Sequence, residues 1–320
     1  MKKIIIRTDA SVEIGSGHVM RCLTVAKYLQ EYDCKVKFFM KQLPGNLIDY
    51  VKEEGFVNIT QIEKADLYII DHYGIDEVWE KQVRPFTKKI AVIDDLANRR
   101  HDCDLLMDQN VVPNFEMRYE NLVPKNCVKL LGPGYLIMRD EFIEARKHLR
   151  DRNGEIKRLL VFMGGTDPTN ETMKVLQALD EFSFAHIDIV VGNGNVQKDN
   201  IHLICKEKGY NYHCQINYLA QLMQLADFSI GAGGTTTWER CYVGLPSSCT
   251  IVADNQIVST KFAAKLGAII NLGWHEQVTV DTYKQLLKDL KIEGLSEKGI
   301  QLTENKQPNA WVHKILELIK

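Results

Sequence analysis

The chain has 320 residues, 45% of them hydrophobic, with 40 lysines and arginines against 42 aspartates and glutamates for a net charge of −2. That size and apolar share suit one large or two medium folded domains, and the near-neutral balance argues against nucleic acid or an anionic membrane as partner. No run of about eighteen apolar residues is present to span a bilayer, and Met1-Lys2-Lys3 enters a short strand directly, without the apolar core of a signal peptide. Eight cysteines are scattered with no Cys-x-x-Cys. They read as reduced, mostly buried thiols of a cytoplasmic protein, not as a disulfide framework or a zinc site.

Lys3–Arg7 is predicted as the first strand. Asp9-Ala10-Ser11-Val12-Glu13-Ile14-Gly15-Ser16-Gly17-His18 follows, and Val19, Leu23, Ala26 and Leu29 predict a helix over 18–30. Glycine at such a strand-to-helix turn lets a ligand approach the backbone. The first helical N–H groups lack internal partners, and the helix dipole favours an anion there. Asp9, Gly15, Ser16 and Gly17 are therefore candidate ligand contacts. His18 lies on the first turn, where the dipole disfavours imidazolium, so it is a candidate general base. Position alone suits a solvated helix-start ring equally well. The dinucleotide fingerprint fails, because Met20 stands where its third glycine is needed and Lys35–Met40 ends in Met40-Lys41 without an acid. No nicotinamide or flavin is expected.

Strands at Lys35–Met40, Leu67–Ile70, Lys89–Ile93 and Leu105–Met107 alternate with helices over 46–54 and Ile75–Gln82. Such alternation predicts a parallel sheet covered on both faces, with ligands outside the carboxyl ends of the strands. Those ends carry Thr8-Asp9, Asp71-His72-Tyr73-Gly74 and Asp94-Asp95. The last pair reads as cap and turn residues, whereas His72 and Tyr73 read as substrate contacts. Gly132-Pro133-Gly134 signals a turn and Asp140–Leu149 a charged helix. The polar stretch Arg150-Asp151-Arg152-Asn153-Gly154-Glu155 reads as the linker. It divides the chain into domains 1–152 and 153–305, with the last helix, in 306–320, returning to the first domain.

A second series begins at Leu159–Met163, followed by Gly164-Gly165-Thr166 and a helix through Leu179. Strands at Ile187–Val191, Phe228–Ile230 and Ser248–Val252 come next, with helices at Leu219–Leu225, Trp238–Val243 and, last, Ala310–Ile319. Gly164-Gly165-Thr166 and Gly233-Gly234-Thr235 both follow buried strands and open helices, which makes them candidate phosphate cradles. Neither has the Gly-Lys-Ser/Thr end of a P-loop, so nucleoside triphosphate hydrolysis is not expected. Glu239, one turn into its helix, would repel a phosphate above it. Beside the phosphate it can accept two ribose hydroxyls, or it is simply a favourable first-turn acid. Asn255 and Gln256 offer amides to sugar hydroxyls, or are turn residues.

Arg7-Thr8-Asp9 with Ile14-Gly15-Ser16-Gly17-His18, then Ile70-Asp71-His72-Tyr73-Gly74, then Met163-Gly164-Gly165-Thr166-Asp167, resembles the UDP-sugar hydrolase family of pseudaminic acid biosynthesis. The related spore-coat polysaccharide proteins share the pattern, and the likeness covers nearly the whole chain. The second half also resembles the nucleotide-binding half of the peptidoglycan N-acetylglucosaminyltransferase, with Thr237-Trp238-Glu239 where that family has its ribose-binding glutamate. The resemblance implies a GT-B-like α/β fold: two doubly wound, Rossmann-like domains facing across a cleft. It implies metal-free, cofactor-free hydrolysis of a UDP-linked 2,4-diacetamido-2,4,6-trideoxy sugar at the anomeric carbon with inversion, and His18 as the catalytic residue. The competing expectations are a GT-B glycosyltransferase using a UDP-sugar donor, and a sugar-nucleotide-binding protein without turnover.

Overall fold

The computed structural model describes every residue except Asn153, Asn305 and Lys306. The chain forms two compact units, Met1–Met138 with Asn305–Lys320, and Arg139–Glu304. The first holds a seven-stranded parallel sheet built from β1 (Lys2–Thr8), β2 (Cys34–Phe39), β3 (Val57–Ile59), β4 (Ala65–Asp71), β5 (Thr87–Ile93), β6 (Leu105–Asp108) and β7 (Val128–Leu131). Its order is β3-β2-β1-β4-β5-β6-β7. The order reverses between β1 and β4, where Thr8 pairs with Asp71.

The central strands are unbroken apolar runs because both their faces are covered. Ile4 and Ile6 pack with Val19, Leu23 and Ala26 of the Gly17–Glu31 helix on one face, and Ile5 packs with Tyr68, Ile70 and Val92 on the other. The terminal helix Trp311–Leu318 joins the first face, Trp311 meeting Tyr28 edge-on at 5.9 Å between ring centroids. Asn309 pins its entry: the side-chain oxygen accepts from Met138 N–H at 3.0 Å, and the amide donates to Met138 C=O at 2.9 Å.

The second unit repeats the architecture with β8 (Arg158–Phe162), β9 (His186–Val191), β10 (Asn211–Cys214), β11 (Phe228–Ala232), β12 (Ser247–Ile251) and β13 (Ile270–Trp274), in the order β10-β9-β8-β11-β12-β13. Every pairing in both sheets is parallel. Here the order reverses between β8 and β11. Among the described residues no helix is long and apolar enough to cross a membrane. Seven of the eight cysteines are buried free thiols, and Cys214 is half-buried.

The boundary at residue 152 is corrected. The Asp140–Arg146 helix belongs to the second unit, where Arg146 donates to the carbonyls of Tyr242 and Ile300. The expected linker is anchored at Arg150 and Arg152, and its Asn153 lies outside the described residues. Arg152 is 4% exposed and donates to the carbonyls of Met223, Gln224, Ala226, Val243 and Gly244. Its fork thus satisfies the carbonyl ends of two helices, Leu219–Leu225 and Thr235–Tyr242. Burial lowers its pKa to about 10. Polar composition suggested a solvated linker, but Arg152 is buried and spends its donors on helix-end carbonyls. Arg152→Ala should therefore destabilise the second unit by about 2–4 kcal/mol, measured by urea unfolding of the full chain.

Candidate active site

His18 sits where β1 turns into the Gly17–Glu31 helix. The preceding loop is closed by Ser11, whose carbonyl accepts from Gly15 N–H at 2.8 Å and whose hydroxyl accepts from Ile14 N–H at 3.0 Å. Ser16 occupies the helix N-cap without a side-chain cap, and no acid stands in the first turn. The ring is 7% exposed. Its Nδ1 lies 2.6 Å from Asp71 Oδ1, at the end of β4, so Nδ1 carries the proton towards the carboxylate and Nε2 is left as the acceptor.

Asp71 is fully buried and held from a second side. Arg21, one turn beyond His18, donates from Nε at 2.8 Å and Nη2 at 2.7 Å, one bond to each carboxylate oxygen. Burial by itself raises the Asp71 carboxyl, but Arg21 and His18 outweigh it and hold the group well below the usual carboxylate range. Burial works against the Arg21 charge too, and Asp71 more than restores it. Arg21 Nη1 also lies 3.6 Å from Asp95. Tyr73 closes the group: its ring meets His18 edge-on at 4.3 Å, and burial together with Asp95 pushes its phenol far above the ordinary range.

Asp9 and His72 are placed beside this group but are spent on each other and on the scaffold. Asp9 is 1% exposed. It accepts two bonds of 2.6 Å from Arg7, a third of 2.7 Å from Lys41 N–H, and faces His72 Nε2 at 3.2 Å. Burial opposes its charge, and His72 and Arg7 overcome that, driving its pKa far down. His72 Nδ1 accepts from Gly74 N–H at 2.9 Å, so both ring nitrogens are engaged. The pair braces the loop after β4. Asp94 is structural: it accepts from Ala97 N–H and the Tyr119 hydroxyl. Asp95, read from sequence as a turn residue, joins Arg21 and Tyr73.

In the second unit the two glycine loops differ. After β8, Gly165 is packed against the loop following β9: a Cβ on Gly192 would lie 2.4 Å from Gly165 O, so only glycine fits. The helix beyond begins only at Glu171, and Asp167 already accepts from Glu171 and Thr172 N–H at 2.9 Å each. That helix start is closed by a carboxylate. After β11, Gly234 is the N-cap of Thr235–Tyr242 at φ +95°, ψ −160°, a conformation open essentially to glycine, and no side chain caps it. Gly233 lies against Gln256, whose Oε1 accepts from Val252 N–H at 3.0 Å. Asn255 shares the short turn Asp254–Gln256 after β12.

Glu239 is 5% exposed. Its Oε1 accepts from Arg139 Nη2 at 3.0 Å and Nε at 3.2 Å, while Oε2 is buried without a hydrogen-bond partner among the described residues. Sequence reasoning missed Arg21, Asp71, Asp95 and Arg139 as site residues. His18 and Arg21 share a helix face at i, i+3, which was a usable signal. Nothing local marks Arg139, a hundred positions from its partner. Among the described residues no three His, Cys, Asp or Glu side chains are grouped as a metal-ligand set.

Asp71 has its folded pKa depressed, so its stabilising contribution is fully present above the unfolded carboxyl range near pH 4 and is lost as pH falls through the folded value. Asp71→Asn leaves the buried Arg21 charge with only the longer Asp95 contact at 3.6 Å. The first unit should lose about 3–5 kcal/mol near neutral pH, with the gap to wild type closing in strong acid, as read by urea unfolding across a pH series.

No family model matches the chain. The UDP-2,4-diacetamido-2,4,6-trideoxy-β-L-altropyranose hydrolase of Campylobacter jejuni is 32% identical over 207 residues, covering 61% of this chain and 72% of that protein. An uncharacterised protein of Methanocaldococcus jannaschii is 30% identical over 264 residues, and the match covers 76% of this chain but only 54% of that relative, about half its length. The spore coat polysaccharide biosynthesis protein SpsG of Bacillus subtilis is 26% identical over 87% of this chain and 85% of its own. Among solved structures, MurG of Acinetobacter baumannii superposes with a TM-score of 0.58 at 18% identity, covering 100% of this chain and 99% of its own. Spinosyn rhamnosyltransferase SpnG does so with 0.62 at 13%, covering 99% and 100%. These likenesses show a GT-B-like α/β fold. The identity and coverage shared with the Campylobacter protein show that the chain belongs to the family of UDP-2,4-diacetamido-2,4,6-trideoxy-β-L-altropyranose hydrolases.

Proposed function

We propose that this chain is a hydrolase that cleaves a UDP-linked 2,4-diacetamido-2,4,6-trideoxy sugar of the altropyranose type to UDP and the free sugar, as a step of pseudaminic acid biosynthesis. The observation that carries the reading is the His18–Asp71 hydrogen bond of 2.6 Å, which fixes the ring tautomer and turns Nε2 into an acceptor for a proton. Family membership supports the substrate class.

In the proposed reaction a water oxygen attacks the anomeric carbon and gives its proton to His18 Nε2. The bond from that carbon to the β-phosphate oxygen breaks, and the electron pair leaves with UDP, inverting the centre. Asp71 orients the ring and meets the charge it acquires, as the buried acid of a triad does. General-base assistance of this kind contributes about 10²–10⁴-fold. The diphosphate is taken by the second unit at Gly233-Gly234-Thr235, where the uncapped helix start offers N–H groups and a favourable dipole. Gly164-Gly165-Thr166 contributes loop backbone beside it, not a helix start. Glu239 Oε2 takes the ribose hydroxyls. Gly15, Ser16 and Gly17 line the approach to His18, and Tyr73 packs on it. Asn255 and the Gln256 amide, in the turn beside Gly233, are assigned to the sugar hydroxyls. Backbone dipoles meet the charge on the leaving group, so no divalent ion is invoked.

The glycosyltransferase fold neighbours support a second reading, transfer of the sugar to an acceptor hydroxyl. Incubation with the UDP-sugar and no acceptor separates the two: prompt release of UDP and free sugar supports hydrolysis, and intact substrate rejects it.

His18→Asn keeps a polar group that can hold water but cannot take its proton, and His18→Phe removes both functions. Both variants should fold and bind UDP normally while losing about 10²-fold or more in turnover. Wild-type turnover should survive chelator. Near-wild-type turnover in His18→Asn would exclude His18 as the base. Glu239→Ala should weaken UDP by about 1.5–3 kcal/mol in calorimetry, and an unchanged affinity would remove Glu239 from the nucleotide site.

A further inference from the structure

We infer that Arg139 is a positioning residue for nucleotide recognition: it fixes the Glu239 carboxylate so that a single oxygen, Oε2, is presented to the ribose diol. The inference rests on the reading of Glu239 as the ribose acceptor and adds the group that makes it selective. The Glu239 carboxylate has two oxygens and two lone pairs on each. Arg139 fills one of them completely, Nη2 and Nε both donating to Oε1 at 3.0 and 3.2 Å. Oε2 is buried and has no hydrogen-bond partner among the described residues, so both its acceptor sites are open. A buried anionic oxygen with two open lone pairs matches two neighbouring hydroxyl donors, which a ribose supplies and a deoxygenated sugar does not.

The guanidinium is itself held on other sides, which distinguishes it from an adjustable surface ion pair. Its Nη1 lies 2.6 Å from Glu141 Oε1, and its plane sits over the Phe142 ring, 4.7 Å from the centroid. Phe142 is fully buried. Glu141 is tied in turn, its Oε2 accepting from Ala220 N–H at 3.3 Å at the start of the Leu219–Leu225 helix. The Glu141 carboxyl is pushed up by burial and by neighbouring Glu239, while Arg139 opposes the rise, so the guanidinium serves two carboxylates that would otherwise repel each other. Arg139, Glu141 and Phe142 all come from the Asp140–Arg146 helix and the residue before it, the segment whose place in the second unit the sequence did not reveal.

The test is a calorimetric comparison of UDP with 2′,3′-dideoxyuridine 5′-diphosphate on wild type, Glu239→Gln, Arg139→Gln and Arg139→Lys. Wild type should prefer UDP by about tenfold or more, as expected for charge-assisted hydrogen bonds to two hydroxyls. Glu239→Gln and Arg139→Gln should both lose that preference while binding the dideoxy ligand as wild type does. Arg139→Lys, which keeps the charge but not the fork, should regain only part of it. If Glu239→Gln loses the preference and Arg139→Gln keeps it, the positioning role is overturned and the ribose reading stands. If Arg139→Gln weakens both ligands equally, the residue is merely structural and the inference fails. If wild type shows no preference, or Glu239→Gln retains it, the ribose reading falls and the inference with it. Should Arg139→Gln not fold, as judged by circular dichroism, Arg139→Lys decides: retention of the full preference overturns the inference.

Discussion

A carboxylate with no exposure to solvent, Asp71, is the constraint around which the polar group at the end of β1 and β4 is built. Removing such a group from water costs several kcal/mol, and the charge persists only because a bidentate guanidinium and an imidazole are built around it. The group is drawn from two places in the chain. Asp71 ends β4, and His18 and Arg21 lie on the first turns of the helix after β1. The parallel pairing of β1 with β4, which sets Thr8 opposite Asp71, is what brings them together. The same bonds that keep the ion pair tolerable fix the tautomer of His18. Stability and the proposed role of His18 therefore draw on one interaction.

Around that centre, charge is used in two ways. Arg7, Asp9, His72 and the Lys41 backbone form a closed group in which every polar atom discussed has a partner, and it acts as a brace. The His18 group is not closed, because the acceptor nitrogen of its ring is left over. Two histidines one strand apart thus have opposite fates, set by whether both nitrogens are occupied. The second unit repeats the contrast in its backbone. One glycine loop leads to a helix whose N–H groups are taken by Asp167, and the other to a helix start that no side chain caps. Anion binding at a helix start needs the second condition, since a capping carboxylate occupies the donors and repels the ligand.

The edges of the two sheets show where local pattern loses its force. Lys3–Arg7, Lys89–Ile93 and Leu159–Met163 are central strands, covered on both faces, and their apolar runs are readable directly. Val57–Ile59, Val128–Leu131, Asn211–Cys214 and Ile270–Trp274 are the four edge strands, and none was identified from sequence. Each is short and only partly buried, so Asn58, Lys129, His213 and Gly273 interrupt the run. The linker failed for a related reason. Arg150 and Arg152 are polar as residues, yet both donate to carbonyls at the ends of helices, and Arg152 is buried in doing so.

The sequence by itself determined what short-range physics controls. Strand and helix alternation specified two doubly wound parallel sheets, and the glycines and histidine at the first strand-to-helix turn marked His18. Those features depend on neighbours within a few residues, so their signals survive without the fold. Tertiary structure alone decided which polar side chains are spent and which are available. Asp9, His72 and Asp167 look as exposed on paper as His18 and Glu239, but their partners come from Arg7, Lys41, Gly74 and the Glu171 turn in geometries that the chain fixes only when folded. It also decided that Arg139 meets Glu239 across a hundred positions of sequence. A hydrogen bond is satisfied within about 3 Å in space, and distance along the chain carries almost no information about that.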